Sequence, residues 1–316
     1  MIEAPAALMR VENLVVSFTN PDRFGKGSTF RVIDGVAFDL NEGEVFGIVG
    51  ESGSGKTTLG KTILRLYRPQ SGRIFYKGID ITTLGEAGLR PYRRNLQMIF
   101  QDPLTSFNPL VRIGDALQLP FHLHRLCGPS QVPHEVDRLL TRVGLSPGLK
   151  DRYPHELSGG QLQRIAIARV LALRPRLIVA DEPVSKLDVS VRAQILNLFR
   201  EIQKDVGISL VFVTHDLRVA RYLCDRVAVM FFGRLVEIAP TEALFERPLH
   251  PYTQQLIGTL AETRGDDAAI EPAPPADATG CRYRSRCARA DGACAVPPPL
   301  IAAGAHHIVA CHHSRS

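Results

Sequence analysis

Glu44-Val-Phe-Gly-Ile-Val-Gly50-Glu-Ser-Gly-Ser-Gly-Lys-Thr57 decides how this chain is read. Its first half is a short apolar run ending in glycine, the pattern of a buried strand entering a tight turn. Its second half fits G-x-x-x-x-G-K-[ST] in full, and a helix is expected from Lys56 to Tyr67. The glycines let the backbone curl so that several N–H groups point at one anion. The helix start adds its positive dipole end. Gly50, Glu51, Ser52, Gly53, Ser54, Gly55, Lys56, Thr57 and Thr58 are therefore the expected phosphate cradle. Lys56 would reach β- and γ-phosphates, and the Thr57 hydroxyl would sit on Mg²⁺. A Gly/Ser turn with a chance lysine is the plain alternative. The strand before it and the helix after it argue against that.

Two further segments supply what such a cradle needs. Leu177-Ile-Val-Ala-Asp181-Glu182 is an apolar strand ending in two acids. Asp181 would bind Mg²⁺ through water, and Glu182 would polarise an attacking water as general base. Taken alone, the two acids would as readily cap a strand end. Leu157-Ser-Gly-Gly-Gln161 reads as a second helix start. Ser158 and Gln161 form a capping box, and Gly159 and Gly160 leave bare N–H groups for a second anion.

The rest of the chain is consistent with this frame. Val11–Leu40 reads as two or three strands around a polar break at Thr19–Thr29. Strand patterns return at 177–180, 209–213 and 227–232. Between the first two, Val191, Ile195, Leu198, Phe199 and Ile202 share one helical face, which Gly207 can end. Strands alternating with helices argue an α/β fold with a mostly parallel sheet. Residues from about 85 to 160 are proline-rich with short helical patterns, and read as a helical insertion. Residues 263–280, rich in Ala, Pro and Asp, read as a linker.

Composition sets the outer bounds. At 316 residues the chain is long enough for two domains. A hydrophobic fraction of 45% with 22% charged residues excludes a disordered or collagen-like chain. Apolar runs such as residues 176–180 are too short to span a bilayer. The N-terminus does not read as a secretory signal, so the cytoplasm is the expected compartment. The net charge of +6 suits anionic partners such as nucleotide or a lipid surface, but is too weak to imply nucleic-acid binding.

Four of the six cysteines form Cys281-x₅-Cys287-x₆-Cys294-x₁₆-Cys311. In a reducing compartment this points to a metal, either tetrahedral zinc or a [4Fe–4S] cluster, with unmetallated thiols as the remaining reading. No gap is the short one of a zinc knuckle, which disfavours zinc. His306, His307, His312 and His313 read as exposed tail residues, with replacement of a cysteine ligand as the other reading. Cys127 reads as a loop residue and Cys224 as a small buried apolar one.

Taken in order, these motifs resemble the ATP-binding subunit of an ABC transporter. Gly50–Thr57 looks like the Walker A loop, Gln101 the Q-loop, Leu157–Gln161 the signature and Asp181–Glu182 the Walker B end. Ser185–Asp188 looks like the D-loop and His215 the switch histidine. The resemblance implies a P-loop NTPase: a RecA-like, mostly parallel sheet with an antiparallel β subdomain and the inserted α-helical subdomain. Residues 1–262 would form this ATP-binding domain. Residues 263–316 would be linker and a small cysteine-containing extension. It implies a head-to-tail dimer, with each ATP between one subunit's cradle and the other's Ser158, Gly159, Gly160 and Gln161. Asp188 would lie at that seam. Gln101 would touch Mg²⁺ and the attacking water, and His215 would contact the γ-phosphate. Phe18 would stack on adenine, with Phe30 as the other candidate.

Gln101-Asp-Pro-Leu-Thr-Ser-Phe-Asn-Pro109, Asp188-Val-Ser-Val-Arg-Ala-Gln194, His250-Pro-Tyr-Thr253 and the cysteine tail resemble the oligopeptide/dipeptide/nickel importers more closely. Asp181-Glu-Pro-Val-Ser185 is nearer the F-type of that family's two ATP-binding subunits. The implied partners are a sister subunit, two transmembrane permeases and an external solute-binding protein. The implied place is the cytoplasmic face of the inner membrane, held peripherally. The resemblance favours [4Fe–4S] for the tail, with Arg282, Arg284 and Arg286 offsetting its charge. Phe107 and Leu110 would be apolar contacts to a permease, with internal packing of the helical insertion as the other reading. Lys186 departs from the family, which usually has alanine there, and puts the symmetry of the two ATP sites in question. A non-transport ABC ATPase, and a weakly catalytic subunit that senses through its tail, are the competing readings.

Overall fold

The computed structural model describes residues 7–20, 28–261, 279–304 and 306–314. The chain divides into two compact units, Leu84–Val211 and the residues on either side of it. The linker expected at 263–280 falls almost wholly outside the described residues.

The first unit opens with β1 (Met9–Asn20) and β2 (Ser28–Leu40), paired antiparallel with Met9 opposite Leu40 and Phe18 opposite Phe30. Alternation buries Met9, Val11, Leu14 and Val16, and a register shift between Val11 and Leu14 keeps Leu14 inward. Next come β3 (Val45–Val49), α1 (Lys56–Ile63), β4 (Ser71–Tyr76) and β5 (Ile79–Asp80). Strands β2-β1-β4-β5 form an antiparallel sheet. Every residue of β3 is buried, as its apolar run predicts. Helix α1 stops at Ile63, short of the expected Tyr67. Arg65 turns to φ 56°, and its Nε donates to Ile81 O, which ends the helix.

The second unit holds α2 (Glu86–Arg93), β6 (Leu96–Ile99), α3 (Ile113–His124), α4 (Val132–Arg142), α5 (Gly159–Leu171), β7 (Leu177–Asp181) and α6 (Val189–Val206). Helix α4 buries Val132, Val136 and Leu140 at four-residue spacing. Strand β6 lies within the stretch read as helical and runs parallel to β7, with Leu96 beside Leu177. Four residues are too few to show a strand's period. Helix α6 buries Ile195, Leu198, Phe199 and Ile202, and Gly207 ends it in the left-handed conformation at φ 65°.

Fully buried β8 (Ser209–Thr214) carries the chain back to the first unit. That unit is completed by α7 (Leu217–Leu223), β9 (Arg226–Phe231), β10 (Arg234–Pro240), α8 (Thr241–Glu246), α9 (Pro251–Ala261), β11 (Ile301–Gly304) and β12 (His307–Val309). Its second sheet runs β11-β12-β10-β9-β3. Strand β3 is parallel to β9, and the C-terminal hairpin adds itself antiparallel to β10. Among the described residues, no helix is long and apolar enough to cross a membrane.

Candidate functional site

The chain from β3 to α1 forms a cradle. Gly55 stands at the N-terminus of α1 with φ 102°, and a Cβ there would lie 2.8 Å from Val32 O. Only glycine fits. Lys56 is 5% exposed, and its ammonium donates to Gly50 O at 2.8 Å and Glu51 O at 2.7 Å. The Ser54 hydroxyl is buried and has no hydrogen-bond partner among the described residues. A buried hydroxyl without a partner in a glycine-rich loop before a helix N-terminus fits a phosphate-bearing ligand. Thr57 and Thr58 lie half-buried in the first turn of α1. Glu51 N–H donates to the Tyr252 hydroxyl at 3.1 Å, and Glu51's carboxylate faces Arg286 Nη1 at 3.3 Å. Half-buried Phe18 meets Tyr67 edge-on at 5.6 Å and Phe30 at 6.2 Å, so an aromatic cluster stands where one ring was expected. His215 is exposed between β8 and α7.

The second unit holds the other motifs. Asp181 ends β7 and is buried. Glu182 follows with φ 44°, a left-handed conformation that a non-glycine residue holds only under local constraint. Gln101 Nε2 donates to Glu182 Oε2 at 3.1 Å. The Ser185 hydroxyl donates to Glu182 O at 3.1 Å, and Asp188 precedes α6 at its N-cap. The signature forms the capping box that its spacing predicts. Ser158 Oγ accepts from Gln161 N at 3.3 Å, and Gln161 Oε1 accepts from Ser158 N at 3.0 Å. A Cβ on Gly160 would stand 2.5 Å from Val191 Cγ1. Phe107 is buried beneath the Arg169 guanidinium, 4.3 Å from its ring centre. It is therefore an internal contact, while Leu110 is 84% exposed.

The ABC transporter family profile matches residues 33–185, and that of the oligopeptide/dipeptide transporter C-terminal region matches residues 236–294. The chain is 44% identical to the oligopeptide transport ATP-binding protein AppF of Bacillus subtilis, over 89% of each chain. It belongs to the ABC transporter family.

A putative peptide import ATP-binding protein of Brucella ovis is also 44% identical, over 87% of this chain and 89% of that one. Among solved structures, the ADP- and phosphate-bound dimer of the ATP-binding cassette MJ0796 overlays with a TM-score of 0.67 at 27% identity. It covers 74% of this chain and 98% of that one. The protein cbiO1 of Clostridium perfringens, described as part of the ABC transporter complex cbiONQ, overlays at 0.65 with 30% identity. It covers 77% of this chain and 92% of that one. The ABC ATPase fold expected from the motifs is thus the fold observed, and ATP and Mg²⁺ are the ligands of such ATPases.

The C-terminal region departs from expectation in several places. Arg282 donates to Asp34 at 3.2 Å and Arg286 faces Glu51, so neither is an idle counter-charge for the cysteines. His307 is buried with Nε2 2.7 Å from the Glu237 carboxylate, and His313 lies 3.2 Å from Asp291. These two histidines are therefore not exposed tail residues, whereas His306 and His312 are exposed. Asp291, Cys294 and His313 bring their donor atoms within 4.8 Å of one another, the one such group among the described residues. The four tail thiols share one electrostatic neighbourhood. Burial pushes the Cys281 and Cys311 thiols up, and the surrounding cysteines reinforce the shift. Cys224 is buried, and burial pushes its thiol up too, as befits an inert apolar filler. Tyr252 and Arg286 are site residues that sequence reasoning missed. The one trace of Tyr252 was its place in the segment His250–Thr253.

Proposed function

We propose that this chain is the ATP-hydrolysing subunit that energises import of oligopeptides or dipeptides through partner permeases. The observation that carries the reading is an ABC ATPase joined to a C-terminal region of the oligopeptide/dipeptide type. Lys56 and Ser54 hold the phosphates, and the Thr57 hydroxyl and Asp181 hold Mg²⁺. When bound, Mg²⁺ neutralises charge on the β- and γ-phosphates. Glu182 takes the proton of the attacking water, and Gln101, bonded to it at 3.1 Å, orients that carboxylate. His215 contacts the γ-phosphate, and Phe18 lies against adenine. Ser158, Gly159, Gly160, Gln161 and Asp188 complete the ATP site of a sister subunit in a head-to-tail dimer. Two permeases and an external binding protein complete the importer, with this subunit peripheral on the cytoplasmic face of the inner membrane.

The four tail cysteines hold a [4Fe–4S] cluster in this reading. What supports it is the electrostatic neighbourhood that Cys281, Cys287, Cys294 and Cys311 share. Iron and acid-labile sulfide content of anaerobically purified protein tests this part.

The main test is ATP turnover by the membrane-reconstituted importer with and without peptide-loaded binding protein. Glu182→Gln should lower turnover by about 10²–10⁴-fold while ATP still binds. Turnover indifferent to peptide, or to Glu182, counts against the reading.

A further inference from the structure

The C-terminal region reaches into the cradle at one residue, Glu51. We propose that Tyr252 and Arg286 are positioning residues of the nucleotide site, so that the C-terminal region helps to set the affinity of the cradle for ATP. The inference rests on the reading of Gly50–Thr57 as a nucleotide cradle.

Three polar groups of Glu51 are held at once. Its N–H donates to Tyr252 Oη at 3.1 Å. Its carbonyl accepts from Lys56 Nζ at 2.7 Å. Its carboxylate oxygens lie 3.3 and 3.4 Å from Arg286 Nη1. Lys56 is shared between these carbonyls and any bound phosphate, since one ammonium has only three donors. Tyr252 and Arg286 hold the other two groups of Glu51, its N–H and its carboxylate, in place.

Both residues are built to hold still. Tyr252 is fully buried, with its ring 4.5 Å from that of Phe231. Arg286 is 18% exposed, and its guanidinium lies 5.6 Å from the Phe231 ring centre and 5.9 Å from that of Phe232. A guanidinium wedged against two rings loses little further freedom when it pairs. Charge gives a second reason. A bare carboxylate in a phosphate cradle repels the incoming triphosphate, and Arg286 neutralises it there. A C-terminal region that merely rests on the ATPase would need no buried hydroxyl on the cradle's second residue.

The test is equilibrium binding of Mg·ATP to the purified full chain, in a Glu182→Gln background that blocks turnover. Arg286→Ala and Tyr252→Phe should each weaken binding about five- to tenfold, the scale of one hydrogen bond or screened charge pair. Arg286→Lys should recover most of the loss. Glu51→Ala with Arg286→Ala should bind no worse than Arg286→Ala alone, since the carboxylate left bare is then gone. Tyr252→Phe keeps the buried ring and removes only its hydroxyl, so its melting temperature without nucleotide shows that the protein is folded. If Tyr252→Phe and Arg286→Ala are both folded and bind ATP within about twofold of the parent, the inference is overturned and the C-terminal region is only docked. Lys56→Ala separates the two levels of the argument. If it binds ATP as tightly as the parent, the cradle reading itself falls and takes this inference with it.

Discussion

Lys186 Nζ lies 2.9 Å from the Asp102 carboxylate, and the residue before Asp102 is Gln101, which donates to Glu182. The loops after β6 and β7 are thus tied twice, by a neutral donor at the carboxylate and by a charge pair beside it. Lys186 hydrogen-bonds and attracts the Asp102 carboxyl, holding it below the usual range. Both partners face solvent, so the pair adds little to folding. Its effect is expected on the placement of Gln101. Lys186→Ala should leave the melting temperature unchanged and alter turnover of the reconstituted importer about two- to fivefold. Lys186→Asp, which sets two carboxylates together, should be the most impaired. Adding Asp102→Lys to Lys186→Asp should restore turnover. Independent effects of the two changes would show that the loops are not coupled through this pair.

Asp34 predicts an acid-range dependence of stability. Burial alone would raise its pKa, but Arg31, Arg234 and Arg282 outweigh burial and hold the carboxyl at about 2. A folded-state pKa below the unfolded value stabilises the fold above the unfolded pKa, and that contribution fades as pH falls toward 2. Asp34→Asn should cost about 1–2 kcal/mol at pH 7, a figure reduced because Arg31 is half-exposed and screened. The cost should shrink between pH 4 and pH 2. Urea unfolding of both proteins across that range checks the sign. A cost that stays constant with pH would mean that the substituted side chain fails for packing reasons instead.

Gly160 predicts a steric rescue. Its missing Cβ leaves room for Val191 Cγ1, which would stand only 2.5 Å away. Valine has little χ1 freedom in a helix, so it cannot turn aside. Gly160→Ala should destabilise the chain by about 1–3 kcal/mol, and Val191→Ala added to it should return most of that. Thermal melting reads the rescue. If turnover stays low in the stable double variant, the bare backbone at 160 also has a role at the nucleotide.

How much of this was legible in the sequence depended on range. The cradle, the Ser158–Gln161 box and the Gly207 stop are local, and each follows from residues within a few positions. β6 was missed because four residues carry no period. The partners of Arg286 and Arg282 lie 235 and 248 residues away, and that of His307 lies 70 away. No spacing rule connects them. A cation near cysteines invites the reading of a counter-charge, and only the fold shows that Asp34 and Glu51 are closer claims. Phe107 failed as a docking residue for the same reason, since Arg169 covers it from another helix.

Glu237 makes the last prediction, because it fixes the end of the chain to the ATPase. Its side chain is fully buried on β10. It accepts from Leu249 N at 2.8 Å and His250 N at 2.9 Å, and faces His307 Nε2 at 2.7 Å. Burial holds the neighbouring His250 near a pKa of 4, so at neutral pH that ring brings no charge to the carboxylate. His307→Ala removes the imidazole and leaves a buried carboxylate with two backbone donors. It should cost about 3 kcal/mol, and Glu237→Gln should cost less in the His307→Ala background than alone. Strand β12 also covers the edge of β10, with Glu237 opposite Val309. A chain ending at residue 278 loses both the imidazole and the covering strand. It should melt lower and aggregate through the bared edge, which light scattering during heating would detect. A truncated chain that melts like the full one would show that the C-terminal hairpin contributes nothing to holding β10.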